Sequence, residues 1–199
     1  GVDMLYNRIM PQFGSHAASY LDGTDQADVR AAAQAAMAKG TLKLMIAETP
    51  ANPTAAMVDL DLMVRMADEV GALQGHRPLV VVDNTLLGPL AQRPIEHGVD
   101  LCMTSLTKYC GGHSDLLAGG VSGRKDLIEQ LRMQRTTWGN HLDPYTSWLV
   151  LRSLESVAVR TERAMTNAQS VAEYLRDHPK VAGVTYLGFL EQGTRPRAV

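Results

Sequence analysis

The stretch Ser105-Leu106-Thr107-Lys108-Tyr109-Cys110-Gly111-Gly112 sets one lysine behind two hydroxyls and ahead of a glycine pair. Leu106, Tyr109 and Cys110 give Lys108 surroundings without strong charge. A lysine so placed is suited to act as a neutral amine and to form a Schiff base with a carbonyl. The ordinary fate of a lysine is a surface position with its stem laid over apolar groups. The chain has five lysines against fourteen arginines, which raises the interest of Lys108 only slightly. Ser105 and Thr107 are two residues apart. In an extended segment both hydroxyls face one way, and with local N–H groups they could hold a phosphate. Taken singly, each is better explained by strand or turn preference. Asp83 closes the apolar run Leu79-Val80-Val81-Val82. A carboxylate there is costly if buried alone and tolerable beside a fixed cation; by itself it reads as a strand-end aspartate capping the next turn.

The elements that must carry these residues follow from patterning. Leu79 to Asp83 is a continuous β-branched run, as in a parallel strand covered on both faces. Val99 to Thr104 is a second strand, and Leu42 to Ala47 a third. The polar turn Glu48-Thr49-Pro50-Ala51-Asn52-Pro53-Thr54 follows, where two prolines forbid a helix interior or a central strand. Residues 25–39 are alanine-rich and helical, capped at Thr24 or Asp25 and stopped by Gly40. Residues 57–70 have helical spacing, with Leu60, Met63, Met66, Ala67 and Val70 on one face. Arg124 to Arg135 is an amphipathic helix. Asp143-Pro144 starts another, whose pattern runs to about Asp177: about 34 residues, a rod of roughly 50 Å. Strands alternating with helices indicate an α/β class with a mainly parallel sheet, whose ligands gather at the carboxyl ends of the strands.

Composition narrows the field further. The chain has 199 residues, 45% hydrophobic and 20% charged, which suits a soluble globular protein. A net charge of −2 without a basic stripe gives no case for nucleic acid, and no apolar run is long enough to span a bilayer. The first fifteen residues mix Asp3, Asn7, Arg8 and Pro11 with apolar ones, unlike a signal peptide. Two cysteines, Cys102 and Cys110, make no disulfide framework and point to a reducing, cytoplasmic setting. There is no G-x-S-x-G elbow and no G-K-[ST]. His113 and Asp115 lack a second ligand pair, so no metal is expected. The chain opens on Gly1 and closes on the loop-like Glu191 to Val199, so a piece of a longer protein is expected.

Together, a Schiff-base lysine, a carboxylate for a ring nitrogen and hydroxyls for a phosphate are the needs of pyridoxal 5′-phosphate. The blocks ETPANPT (48–54), VVVDNT (80–85), QRPIEHGVDL (92–101), SLTKYCGGHSDLLAGG (105–120) and LDPYTSWLVLRSLESVAVRTERAMTNA (142–168) resemble, in that order, the pyridoxal-phosphate enzymes of Cys/Met metabolism. These include cystathionine gamma-synthase, the cystathionine lyases and methionine gamma-lyase. The resemblance covers nearly the whole chain.

The resemblance implies the large domain of a fold-type I enzyme over residues 1–140. Residues 141–199 would supply an interdomain helix and the start of a smaller C-terminal domain, with Val181 to Tyr186 its first strand. It implies that Lys108 carries the cofactor, Asp83 partners the pyridinium nitrogen, Ser105 and Thr107 bind the phosphate, and Asn52 bonds the phenolic oxygen. The activity implied is γ-replacement or γ-elimination on a small amino acid substrate; β-elimination and a non-catalytic homologue are the alternatives. A homo-oligomer, a dimer of dimers with shared sites, is implied as well. Departures are Leu106 between the two hydroxyls, Cys110 in place of an aliphatic residue, and LQGHRP (73–78), read as a loop insertion. The family's ring-stacking tyrosine and substrate-carboxylate arginine have no counterpart in the chain, so these 199 residues alone are expected to bind cofactor weakly and to turn nothing over.

Overall fold

The computed structural model describes residues 4–189. Four strands form one sheet in the order β1-β2-β3-β4: β1 (Leu44–Glu48), β2 (Leu79–Asp83), β3 (Leu101–Ser105) and β4 (Gly119–Gly123). The first three are parallel, with Glu48 beside Asp83 and Asp83 beside Met103; β4 returns antiparallel, with Ser105 beside Gly119. Val80, Val81 and Val82 are all buried, as a strand covered on both faces requires.

Two helices cover one face. Helix α1 (Gln26–Met37) starts at Asp25, whose carboxylate accepts the Ala27 N–H. Helix α2 (Leu60–Gln74) starts at Asp59, which accepts the Leu62 N–H, and stops at Gly75 in the left-handed region, φ 73°. Leu73 and Gln74 therefore belong to α2, and only the rest of the expected 73–78 insertion is a loop. The predicted stripe Leu60, Met63, Met66, Ala67 and Val70 is buried, joining Val29, Met45, Ala47, Val80 and Val82 in the main core. The other end of the sheet is held by Asp100. Its carboxylate accepts from the Val80 N–H at 2.8 Å, Arg77 Nη1 at 2.7 Å and Arg124 Nη1 at 3.1 Å. Burial by itself would raise the Asp100 pKa; the three donors outweigh it and hold the carboxyl below its ordinary range.

One strand was not expected, and two expectations need correction. Strand β4, Gly-Gly-Val-Ser-Gly, has no apolar alternation and is not legible as a strand; its backbone pairing with β3 makes it one. At its end a Cβ on Gly123 would collide with the Asp100 carbonyl, so the close approach needs glycine. The expected single rod is two helices, α4 (Pro144–Leu154) and α5 (Val157–Arg176), preceded by α3 (Lys125–Trp138). The helical ladder fails at Glu155-Ser156 because the Ser153 carbonyl is taken by Ser156 and by the Arg160 side chain. Val181 to Tyr186 is not a strand: among the described residues it has no partner strand. The loop-like Glu191 to Val199 lies outside the described residues.

Candidate active site

Strands β1, β2 and β3 end side by side at Glu48, Asp83 and Ser105, and each runs into a loop at the same end of the sheet. After β1 the loop carries Asn52, between cis peptide bonds at Thr49-Pro50 and Asn52-Pro53. It is anchored by buried Thr49, whose N–H donates to the Asp83 carbonyl at 3.3 Å and whose hydroxyl accepts from the Val58 N–H at 3.1 Å. After β3 the chain makes one helical turn, Leu106–Cys110, from which the backbone departs at Lys108 (φ −88°, ψ −117°). These loops open on a cleft of about 1310 Å³, and Asn52, Asp83, Ser105, Thr107 and Lys108 all line it. The cleft lies where an open parallel sheet presents its ligand site.

The side chains fall into two groups. Asp83 is held on one oxygen: Oδ1 accepts from the Thr85 N–H at 3.0 Å and from the Thr85 hydroxyl at 2.5 Å. The Thr85 hydroxyl in turn accepts from the Ser105 N–H at 2.8 Å, so one threonine ties the ends of β2 and β3 together. Thr107 is also engaged: its hydroxyl donates to the Ala118 carbonyl at 3.2 Å and accepts from the Ala118 N–H at 3.0 Å. By contrast, Asp83 Oδ2, Ser105 Oγ, Lys108 Nζ and the Asn52 amide have no hydrogen-bond or ion-pair partner among the described residues. Half-buried and exposed polar atoms of four chemistries therefore remain available on one cleft.

The sequence expectation placed Ser105 and Thr107 on one face of an extended segment. The structure brings both to the cleft by another route, since Ser105 ends β3 and Thr107 lies in the helical turn. Lys108 is exposed on the cleft wall, beside exposed Tyr109, and Cys110 is buried. Burial pushes the Cys110 thiol up, with Arg160 acting against it, and burial likewise pushes up Cys102; neither thiol is suited to be a nucleophile.

Sequence reasoning missed three residues of the cleft. Thr85 stands two positions after Asp83, the spacing of an aspartate that bonds its own backbone two residues on, so a signal existed. Glu48 is a second carboxylate in register with Asp83 on the neighbouring strand, so the two side chains share one face of the sheet. Arg160 is half-buried in α5 and reaches the carbonyls of Tyr109 and Cys110 at 2.6 and 3.0 Å across some fifty residues of chain. No local pattern marks it.

Comparison with known proteins gives the chain relatives over nearly its whole length. The family model described as Cys/Met metabolism PLP-dependent enzyme matches residues 1–194. A cystathionine beta-lyase from Coxiella burnetii is 36% identical over 92% of this chain and 45% of its own. An L-methionine gamma-lyase from Brevibacterium sandarakinum is 41% identical over 76% of this chain and 37% of its own. Among solved structures, cystathionine gamma-lyase from Lactobacillus plantarum, complexed with L-serine, superposes with a TM-score of 0.78 at 31% identity, covering 89% of this chain and 44% of that one. The metB structure from Corynebacterium glutamicum gives 0.81 at 28% identity, covering 94% and 46%. The architecture, a mostly parallel sheet with helices, is thus that of fold-type I enzymes. The chain spans somewhat under half the length of these curated relatives.

Proposed function

Because the chain belongs to the Cys/Met metabolism PLP-dependent enzyme family, we propose that the protein acts on a sulfur-containing amino acid by γ-replacement or γ-elimination, with Lys108 as its catalytic base and cofactor anchor. The residues present fit the cofactor. An aldehyde calls for an amine, a ring nitrogen for a carboxylate, a phenolic oxygen for an amide donor and a phosphate for hydroxyls. The unpartnered Lys108 Nζ, Asp83 Oδ2, Asn52 amide and Ser105 Oγ supply that set around one cleft, and this co-location is the observation that carries the reading. Thr107 would join Ser105 at the phosphate by turning its hydroxyl from Ala118.

The cofactor, when bound, supplies the electron sink that makes loss of the substrate's Cα proton feasible. The remaining steps belong to the protein. Asp83 keeps a proton on the ring nitrogen, and Thr85 holds that carboxylate in orientation. Lys108 Nζ would hold the cofactor at its aldehyde carbon and, when free, would take the proton from the substrate's Cα and, for γ-chemistry, the proton from Cβ as well. β-Elimination is the second reading, favoured by the cystathionine beta-lyase names among the relatives; it needs only the first of those transfers.

In the same reading residues 1–140 are part of the cofactor-binding domain, and residues 141–199 lead to a smaller domain. The whole protein is then a cytoplasmic homo-oligomer, a dimer of dimers. The test is direct. Full-length protein should purify yellow, and borohydride should fix the cofactor onto Lys108. A panel of cystathionine, methionine and O-acyl-homoserines should then separate γ- from β-chemistry by product. A colourless protein that ignores added pyridoxal phosphate would sink the reading and leave the non-catalytic homologue.

A further inference from the structure

Arg160 spends its whole guanidinium on carbonyls and one hydroxyl, with no carboxylate partner among the described residues. Nη1 donates to the Tyr109 carbonyl at 2.6 Å. Nη2 donates to the Cys110 carbonyl at 3.0 Å and to the Ser153 carbonyl at 2.8 Å. Nε donates to Ser156 Oγ at 3.1 Å. The first two acceptors are the two residues that follow Lys108 in its helical turn. The last two lie at the junction where α4 gives way to α5. One fork therefore binds the lysine's turn to the break between two helices.

Three further features agree with that role. The turn's carbonyl end carries negative partial charge, so a cation there is favourable. Gly112, at φ +76°, packs so closely that a Cβ would collide with Arg160 Nη1, and glycine is the residue that permits both the backbone and the approach. The turn itself is closed by the Gly111 N–H to the Leu106 carbonyl and the Gly112 N–H to the Lys108 carbonyl, each at 2.7 Å. The guanidinium thus fixes the end of the turn that those two bonds begin.

We infer that Arg160 is a positioning residue for Lys108: it clamps the Tyr109 and Cys110 carbonyls to the α4–α5 junction and so sets where the amine stands in the cleft. This rests on the reading that Lys108 bears the cofactor. A lysine at position 160 could place a point charge near one acceptor but could not remake a planar fork to four.

The test uses the full-length protein with Arg160→Met, Arg160→Lys, Gly112→Ala and, as a control, Arg163→Met on the exposed side of α5. In cofactor-free protein, hydrogen exchange at the Gly111 and Gly112 amides should quicken by about tenfold or more in Arg160→Met and Gly112→Ala, while core amides of β2 keep their rates. In loaded protein the visible band of the lysine-bound cofactor should titrate at a shifted pH. Turnover should show kcat lower by about 10- to 100-fold with KM within about threefold. Arg160→Lys should resemble Arg160→Met, and Arg163→Met the parent. Unchanged exchange at Gly111 and Gly112, or an unshifted band despite lowered melting, overturns the inference. If Arg160→Met does not fold, Gly112→Ala decides alone. Borohydride fixation that survives Lys108→Ala would instead overturn the cofactor reading and leave the exchange result to judge the clamp.

Discussion

Thr85 shows what one side chain does for the site. Its hydroxyl donates to Asp83 and accepts from the Ser105 N–H, so both groups lose a partner if it goes. Thr85→Val should cost about 1–2 kcal/mol of stability and weaken pyridoxal phosphate binding about tenfold, read by titrating the visible band; Thr85→Ser should restore both. Asp83→Asn keeps the bond from the Thr85 N–H but cannot hold a proton on a ring nitrogen. It should leave the fold intact and lower kcat by about 100-fold or more, measured at saturating cofactor. At this scale much was legible in the sequence. Lys108, Asp83, Ser105 and Thr107, singled out from the residues themselves, and Asn52, implied by the family resemblance, all reach the cleft, since each sits within a few residues of a strand end. Arg160 was not legible, because the two partners that tie it to the cleft are about fifty residues away and nothing about an arginine on a helix announces which carbonyls it will meet.

Among the elements, the network around Asp100 joins the start of β2 to the end of β4, at the opposite end of the sheet from the cleft. Asp100 is buried, whereas Arg77 and Arg124 keep about a third and more than half of their side chains exposed. Asp100→Asn should therefore cost about 2 kcal/mol, less than the roughly 3–5 kcal/mol of a fully buried pair. The pH dependence has a definite sign. The folded-state carboxyl is held below its ordinary value of 3.8, so its stabilising effect is complete above that pH and is lost as pH falls through it. Acid melts should show a shallower slope below pH 3.8 in Asp100→Asn than in the parent. Helix α1 was predicted closely, with its cap at Asp25, whereas α2 starts three residues later and ends four residues later than its spacing predicts, because Asp59 caps it and Gly75 stops it. The break between α4 and α5 was missed because the helical period of the side chains continues through it; what interrupts the ladder is a side chain arriving from the next turn.

For the molecule as a whole, two features call for measurement. Tyr20 donates its hydroxyl to the Ile46 carbonyl on the sheet-edge strand β1 at 3.0 Å. Burial pushes its pKa from 10.0 up to about 12. A raised folded-state value means full stability below pH 10 and loss as pH rises toward about 12. Alkaline melts should decline over that window, and Tyr20→Phe should flatten the decline while lowering stability at neutral pH by about 1 kcal/mol. The second feature is apolar exposure. Helix α3 buries no residue, and Trp138, Leu151, Val159 and Tyr174 on α3 to α5 are each exposed over more than 60% of their surface. A surface of this kind calls for a covering partner. The 199-residue chain on its own should bind hydrophobic dye and scatter light at micromolar concentration, and the full-length protein should do neither. Among the described residues no helix is long and apolar enough to cross a membrane.

The amino-acid sequence by itself determined the α/β class, the three parallel strands, the core stripe of α2 and the five cleft residues. These depend on periodicity, strand-end position and motif order, which are properties of short segments. Only the tertiary structure decided that Gly119–Gly123 is a strand, that the long helix is broken, that Thr85 bridges two strand ends, and that Arg160 holds the turn of Lys108. Three of these depend on a partner distant in the chain, and the helix break depends on the Arg160 side chain reaching back seven residues to the Ser153 carbonyl. A backbone with no side-chain pattern becomes a strand only when another strand offers its hydrogen bonds, and a carbonyl is taken from a helix only when a donor is brought to it.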